Sequence, residues 1–285
     1  MSDSLVSRAL AILREDGPKT LAVRIAGLGR SFLFGHVLPF RKADFDRDEI
    51  GLMGKVLVGY LLGIVLGERL STRLSVWLLH RRRRREKAPL DSIQTAFDFV
   101  GVGKQHSIRP MQSRRELAAV VELVRANNPE RILEVGTARG GTLYTWCREF
   151  DTLSTAVSVS LPADADPGPS VNPTFLTSFV DERMVCIRGD AHAQATRTAV
   201  TDHVESVDFV FIDADKSYTG VRRHFEMYEP LVSDGGVLAI HDTQYNEGVS
   251  RFWEEVSREY ETTEIVHGAP RLGGEYVFGT GVVWL

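Results

Sequence analysis

Cysteine is scarce in this 285-residue chain: only Cys147 and Cys186 occur, at a spacing that fits neither a disulfide framework nor a zinc site. A disulfide-stapled secreted scaffold is thereby excluded, and two core thiols in a reducing compartment are expected. The residues from Met1 to Leu13 carry an acid at Asp3 and lack the basic start, apolar run and small-residue cleavage site of a secretory signal, so a cytoplasmic location is expected. Long apolar runs are short of the usual membrane length: the longest, Ile50 to Gly67, carries Lys55 and as a helix would reach about 27 Å, marginal for spanning a bilayer. The dinucleotide fingerprint G-x-G-x-x-G is missing, and no internal repeat is evident.

What is present divides the chain. The net charge of -4 conceals 18 Lys and Arg against 11 Asp and Glu in residues 1–105, whereas residues 106–285 hold 16 against 27. The two parts therefore seek different surroundings. Leu5, Ala9, Ile12 and Leu13 recur at helical spacing before Gly17-Pro18, which predicts a short amphipathic helix, and a second segment runs through Val37 to a break at Pro39. Gly59, Gly63 and Gly67 fall four apart on one helical face, a spacing that serves close helix contact in a membrane and equally a glycine-rich packing of soluble helices. Leu70 to Leu79 follows, with Trp77, and then Arg81 to Arg85. Tryptophan beside a basic cluster suits an anionic membrane surface, and residues 50–85 are the candidate for peripheral attachment to the cytoplasmic face of a membrane. A solvated linker explains the same run equally well. Absence of interleaved aromatics and of any nucleic-acid motif argues against nucleic acid. Residues 1–88 are thus expected to be a basic, apolar helical region and 89–105 a link.

From Gln112 onward, short β-branched runs alternate with helical patterns. Strands are predicted at 131–135, 156–160, 184–187, 207–212 and 237–240, with a closing pair near 263–266 and 277–284. A helix over 114–127 precedes them, and others fall at 141–149, 192–200, 218–228 and 247–260. This order predicts an α/β fold for residues 106–285: a Rossmann-like, mostly parallel sheet with helices on both faces and an antiparallel hairpin at its edge.

Ligands of such sheets bind beyond the C-terminal strand ends. After the first strand the chain reads Glu134-Val135-Gly136-Thr137-Ala138-Arg139-Gly140-Gly141-Thr142. Its glycines allow a tight turn and close approach of a ligand, and the next helix offers free N–H groups, although any tight strand-to-helix turn uses glycine. Glu134-x-Gly136 with Gly140-Gly141 resembles the first motif of class I S-adenosylmethionine-dependent methyltransferases. The resemblance continues in order through Gly189-Asp190-Ala191, Phe211-Ile212-Asp213-Ala214-Asp215-Lys216, Asp234-Gly235-Gly236 and His241-Asp242-Thr243. It implies a class I methyltransferase fold, S-adenosylmethionine as cofactor, the methionine part over Glu134 to Thr142, and the adenine near Asp190 and Ala191. The Asp-Ala-Asp-Lys segment is similar to metal-dependent O-methyltransferases. Ser217-Tyr218-x-Gly220-Val221 and Glu229-Pro230-Leu231-Val232 resemble the branch with cephalosporin hydroxylase-like proteins and sugar O-methyltransferases.

Read by their chemistry, Asp213 and Asp242 project from adjacent strand ends, and paired carboxylates there suit Mg²⁺ or another hard divalent cation. The alternative is two helix-capping aspartates. Lys216 is the candidate base if a nearby cation lowers its pKa, and His241 is the competing base or a further ligand. Two departures stand out. Where the family usually has an acid at the end of the second strand to hold the ribose, this chain has Ser160, with Asp164 nearby; where the metal-dependent group commonly has Asn, it has Thr243. The expected function is metal-assisted O-methylation of a hydroxyl acceptor, a glycan or other small molecule, with a homo-oligomer left open. Its rivals are a non-catalytic scaffold on the same fold, which Ser160 favours, and a hydroxylase-like enzyme.

Overall fold

The structure, a computed structural model, describes residues 47–103, 108–162, 183–271 and 274–285. The helices expected between residues 5 and 37, and Asp164, lie outside the described residues. The chain divides into two compact units. One takes residues up to 75 with 100–106 and 271–274; the other takes 76–99, 107–270 and 275–285.

Helix α1 (Arg47–Arg83) runs through both apolar stretches and is interrupted at Gly67, whose φ of 72° is outside helical space. In the first unit, the glycine spacing serves close packing within the chain: a Cβ at Gly59 would lie 2.4 Å from the Gly101 carbonyl oxygen, and one at Gly63 would lie 2.1 Å from Gly103 Cα. Ser75, one face further along, accepts from the Val102 N–H at 2.7 Å. Among the described residues no helix is long and apolar enough to cross a membrane.

In the second unit, the stretch expected to be a link contains helix α2 (Asp91–Asp98), which buries Ile93, Ala96 and Phe97. Leu79 from the end of α1 and Phe99 join them in one core cluster. Pro89 and the nearby glycines read as turn signals, and eight residues are too few for helical periodicity to register against them.

Helix α3 (Arg114–Arg125) precedes the sheet and is capped by Ser113, which accepts from the Glu116 N–H. Then come β1 (Arg131–Val135), α4 (Gly141–Glu149), β2 (Thr155–Ser160), β3 (Met184–Arg188), α5 (Gln194–Thr201), β4 (Val207–Ile212), α6 (Tyr218–Tyr228), β5 (Val232–His241) and α7 (Glu247–Glu259). The chain closes with β6 (Glu261–Ile265), a small ladder of β7 (Gly268–Arg271) and β8 (Gly274–Val277), and β9 (Thr280–Trp284). The seven-stranded sheet has the order β3-β2-β1-β4-β5-β9-β6. Its first five strands are parallel, and β9 runs antiparallel to both β5 and β6. The expected edge hairpin is therefore present, with its second strand turned inward against β5.

Strand residues alternate between two cores, as a pleated sheet covered on both faces requires. Ile132, Phe209, Phe211 and Ala239 join α2, α3 and α4 on one side. Leu133, Val210, Ile212 and Ile240 join α6 and α7 on the other. Strand order reverses between β1 and β4, which opens a crevice at their C-terminal ends.

Candidate functional site

The turn after β1 is built for close approach. Gly136 has a φ of 95°, and a Cβ there would come within 2.1 Å of the Asp213 carbonyl oxygen, so only glycine lets this turn pass the end of β4. Gly141 is equally confined, its would-be Cβ lying 1.9 Å from the Ile108 carbonyl oxygen. Gly140, at φ 78°, caps α4, and its N–H donates to Thr137 O at 2.7 Å. Ala138 holds a φ of 42°, a region that costs an L-residue free energy. The Thr137 hydroxyl shares a 2.5 Å hydrogen bond with Ser158 on β2, tying the turn to the neighbouring strand.

Other sequence-expected cofactor residues gather around the same edge. Thr142 is buried in the first turn of α4, and Ser160 ends β2 half-buried. Asp190 is exposed after β3, its carboxylate accepting from His192 N–H at 2.9 Å, and the Ala191 carbonyl accepts from Tyr228 OH at 2.9 Å. Glu134 is completely buried on β1 and accepts from Trp146 Nε1 at 2.8 Å. Burial pushes its carboxyl up to about 8; hydrogen bonds from Thr142 and Trp146 offset only part of that, and Asp213 adds to it.

The second group forms where β4 and β5 end. Ile212 pairs with Ile240, so Asp213 and His241 emerge side by side. Lys216 forms ion pairs with Asp213 and, at 2.8 Å, with Asp242. His241 Nδ1 stands 3.2 Å from Asp213 and 3.3 Å from Asp242. Asp242 adopts a φ of 72°, and its N–H donates to Gly279 O at 2.9 Å. Ligand atoms of Asp213, His241 and Asp242 all lie within 4.8 Å of one another. The Lys216 side chain remains 27% exposed, so the cluster can be reached from solvent.

Two members of this cluster escaped the sequence reading. Gln112 Nε2 donates to the second oxygen of Asp213 at 2.7 Å. Glu116, completely buried on α3, lies 3.6 Å from His241 Nε2 and accepts from the Thr280 hydroxyl at 2.5 Å. The one signal for Glu116 was Ser113-x-x-Glu116, which reads as a local capping box and gives no hint of a partner 125 positions along the chain.

Electrostatics balance the cluster internally. Burial disfavours the charged form of each group, but the opposite charges outweigh it. Lys216 and His241 hold Asp213 well below the usual carboxylate range, and His241 and Lys216 depress Asp242. Asp213 and Asp242 raise Lys216 above its ordinary value, and mainly Asp213 raises His241 to about 9. Near neutral pH the set is therefore two carboxylates, one ammonium and one imidazolium. Glu116 is pushed up by burial, with His241 opposing. The expectation of a lowered Lys216 pKa rested on a bound cation; the carboxylates alone act in the opposite direction.

Residues 133–243 match a family model described as a methyltransferase domain. A protein of Klebsiella pneumoniae provisionally named an O-methyltransferase superposes with a TM-score of 0.51 at 17% identity, covering 76% of this chain and 99% of that one. The O-methyltransferase TomG of Streptomyces achromogenes, solved with S-adenosylmethionine, gives 0.49 at 17%, covering 75% and 98%. An uncharacterized protein of Sinorhizobium fredii, y4gI, is 26% identical over 143 residues, 47% of this chain; the chain spans only 16% of that relative. Residues 133–243 thus resemble a methyltransferase domain, and the fold is one shared with the Klebsiella pneumoniae protein.

Proposed function

We propose that the domain transfers a methyl group from S-adenosylmethionine to a hydroxyl oxygen of a glycan or other small-molecule acceptor. The observation that carries this reading is the placement of the Asp213–Lys216–Asp242–His241 cluster against the glycine turn: the turn's Gly136 lies in contact with the backbone of Asp213 itself. Cofactor at the turn and acceptor at the cluster would then be neighbours, and holding two reactants in line removes much of the entropic barrier to transfer. In the reaction the bond from the cofactor's sulfur to the methyl carbon breaks as the bond to the acceptor oxygen forms. The sulfonium charge is discharged, and the acceptor's proton passes to Lys216 when that side chain is in its neutral amine form, which Asp213 and Asp242 make scarce near neutral pH. Gln112 and His241 hold Asp213 in position, and Asp213 and Asp242 in turn hold Lys216.

The donor set also fits a hard divalent cation, with Asp213 and Asp242 as ligands and His241 Nδ1 within reach. When bound, such an ion would supply Lewis-acid polarisation of the acceptor hydroxyl. Because the cluster is already charge-balanced by Lys216 and His241, binding of the cation should release protons and strengthen as pH rises. Ser160, in place of a ribose-binding acid, favours the scaffold reading. Calorimetric titration with S-adenosylmethionine, with and without Mg²⁺, decides between them: saturable binding is expected, and a chain that binds no cofactor under either condition is not a methyltransferase.

A further inference from the structure

The basic end of α1 lies outside the site and is not used by it. Its inner side is fastened to the domain. Leu79 is 1% exposed in the core, Arg82 faces Asp98 at 3.5 Å, and Glu86 binds Tyr144 and, at 3.0 Å, Arg148. Its outer side is different. Trp77 is 50% exposed, and the Arg81 guanidinium stacks over its ring at 5.5 Å. The Arg84 N–H bonds to His80 O, continuing the helical path, so Trp77, Arg81 and Arg84 follow one another at i, i+4 and i+7 on one face. Arg85 is exposed beside them. Among the described residues none of Arg81, Arg84 and Arg85 has an acidic partner, whereas Arg82 does.

We infer that this outer face, Trp77 with Arg81, Arg84 and Arg85, docks the protein on an anionic lipid surface. The chemistry selects that occupant. Indole rings favour the boundary between headgroups and acyl chains, and unpaired arginines are attracted to anionic headgroups. A solvated face has no reason to expose half of a tryptophan, and a nucleic-acid surface would be expected to interleave aromatics with its cations. Charge also sets the direction of approach. Residues 106–285 carry 27 acids against 16 basic side chains and are repelled by the same surface, so contact is confined to this edge. The interaction is peripheral and independent of the proposed methyl transfer.

The test is co-sedimentation of the full chain with vesicles of phosphatidylcholine alone or mixed with phosphatidylserine. Sedimentation with the mixed vesicles only is expected. Each arginine near such a surface is worth roughly a fivefold gain in partitioning, so R81Q/R84Q/R85Q should lose on the order of a hundredfold. Trp77→Ala should weaken binding at low and high salt alike, while salt should weaken the wild type through screening of the arginine share. These side chains are exposed, so the variants should melt with the wild type; should the triple variant misfold, the salt dependence of the wild type decides. Equal binding to neutral vesicles, no binding to either, an unchanged triple variant, or a shift in oligomeric state that the triple variant abolishes would overturn the inference.

Discussion

Glu134 offers a test of the site that needs no acceptor. Its carboxyl is completely buried on β1, held by Trp146 Nε1 at 2.8 Å, and pushed from 4.5 up to about 8 by burial. Below about pH 4.5 it is protonated in both folded and unfolded chains and has no pH-linked cost. As pH rises the unfolded chain releases the proton while the folded one keeps it, so stability falls until the folded-state value is passed. At about 1.4 kcal/mol per pH unit, the loss is about 3 kcal/mol at pH 7 and about 5 kcal/mol above pH 8. Glu134→Gln keeps the shape and an oxygen for Trp146 but cannot ionise. Urea denaturation at several pH values should therefore show the variant gaining on the wild type steadily from pH 5 to pH 8, with a flat difference beyond. Parallel stability curves over that window would refute the buried, protonated carboxyl. A second readout bears on function. If the cationic cofactor lies over the turn, it lowers the Glu134 pKa, so binding releases protons in the wild type and fewer in the variant, measurable by calorimetry in buffers of different ionisation enthalpy.

Asp242→Asn keeps a side chain that tolerates φ 72° but removes one of the two charges on Lys216; cofactor affinity should persist while turnover falls on the order of a hundredfold or more, and unchanged turnover would remove Asp242 from the chemistry. If metal assistance is right, exhaustive chelation should abolish wild-type activity; full activity after chelation leaves Lys216 and His241 without a cation. Ala138→Gly should relieve the strain of φ 42° and stabilise the domain by about 1 kcal/mol, read as a rise in melting temperature, and a fall would show that the turn is not strained there.

Much of this architecture was legible because local and global signals agree. The runs Arg131–Val135 and Val207–Ile212 lie in the middle of the sheet and are buried on both faces, so they read as continuous apolar strands with little ambiguity. Asp213, Lys216 and Asp242 were singled out as candidates because ligands of this topology bind at strand ends, and the structure brings the three side chains together. Register and strand insertion were not legible: nothing local in Thr280–Trp284 says that it lies between β5 and β6. Glu116 was hidden for the same reason. Its position on α3 reads as a helix-capping acid, and only the tertiary arrangement sets it against His241 and Thr280. The short helix Asp91–Asp98 was obscured by the turn signals flanking it.

Many of the exceptions to ordinary folding rules collect at one edge, though Leu90 and Asn128 hold a positive φ elsewhere. Ala138 and Asp242, two of the four described non-glycine residues with positive φ, sit in the loops that follow β1 and β5. Glu116 and Glu134 are carboxyls buried at 0% exposure beneath it. Gln112 Oε1, Glu116 Oε2, His241 Nε2 and Thr243 Oγ1 are buried without a hydrogen-bond partner among the described residues. Each of these costs of order one to a few kcal/mol, and a domain stable by only about 5–15 kcal/mol tolerates few of them. A scaffold that had lost its ligand would gain stability by replacing any one of them: glycine at 138, glutamine at 134, an apolar side chain at 116. Their number on one edge of the sheet is what a retained ligand site would explain, although His224 on α6 is also buried with both ring nitrogens unpartnered among the described residues. It therefore weighs against the scaffold reading that Ser160 alone would favour.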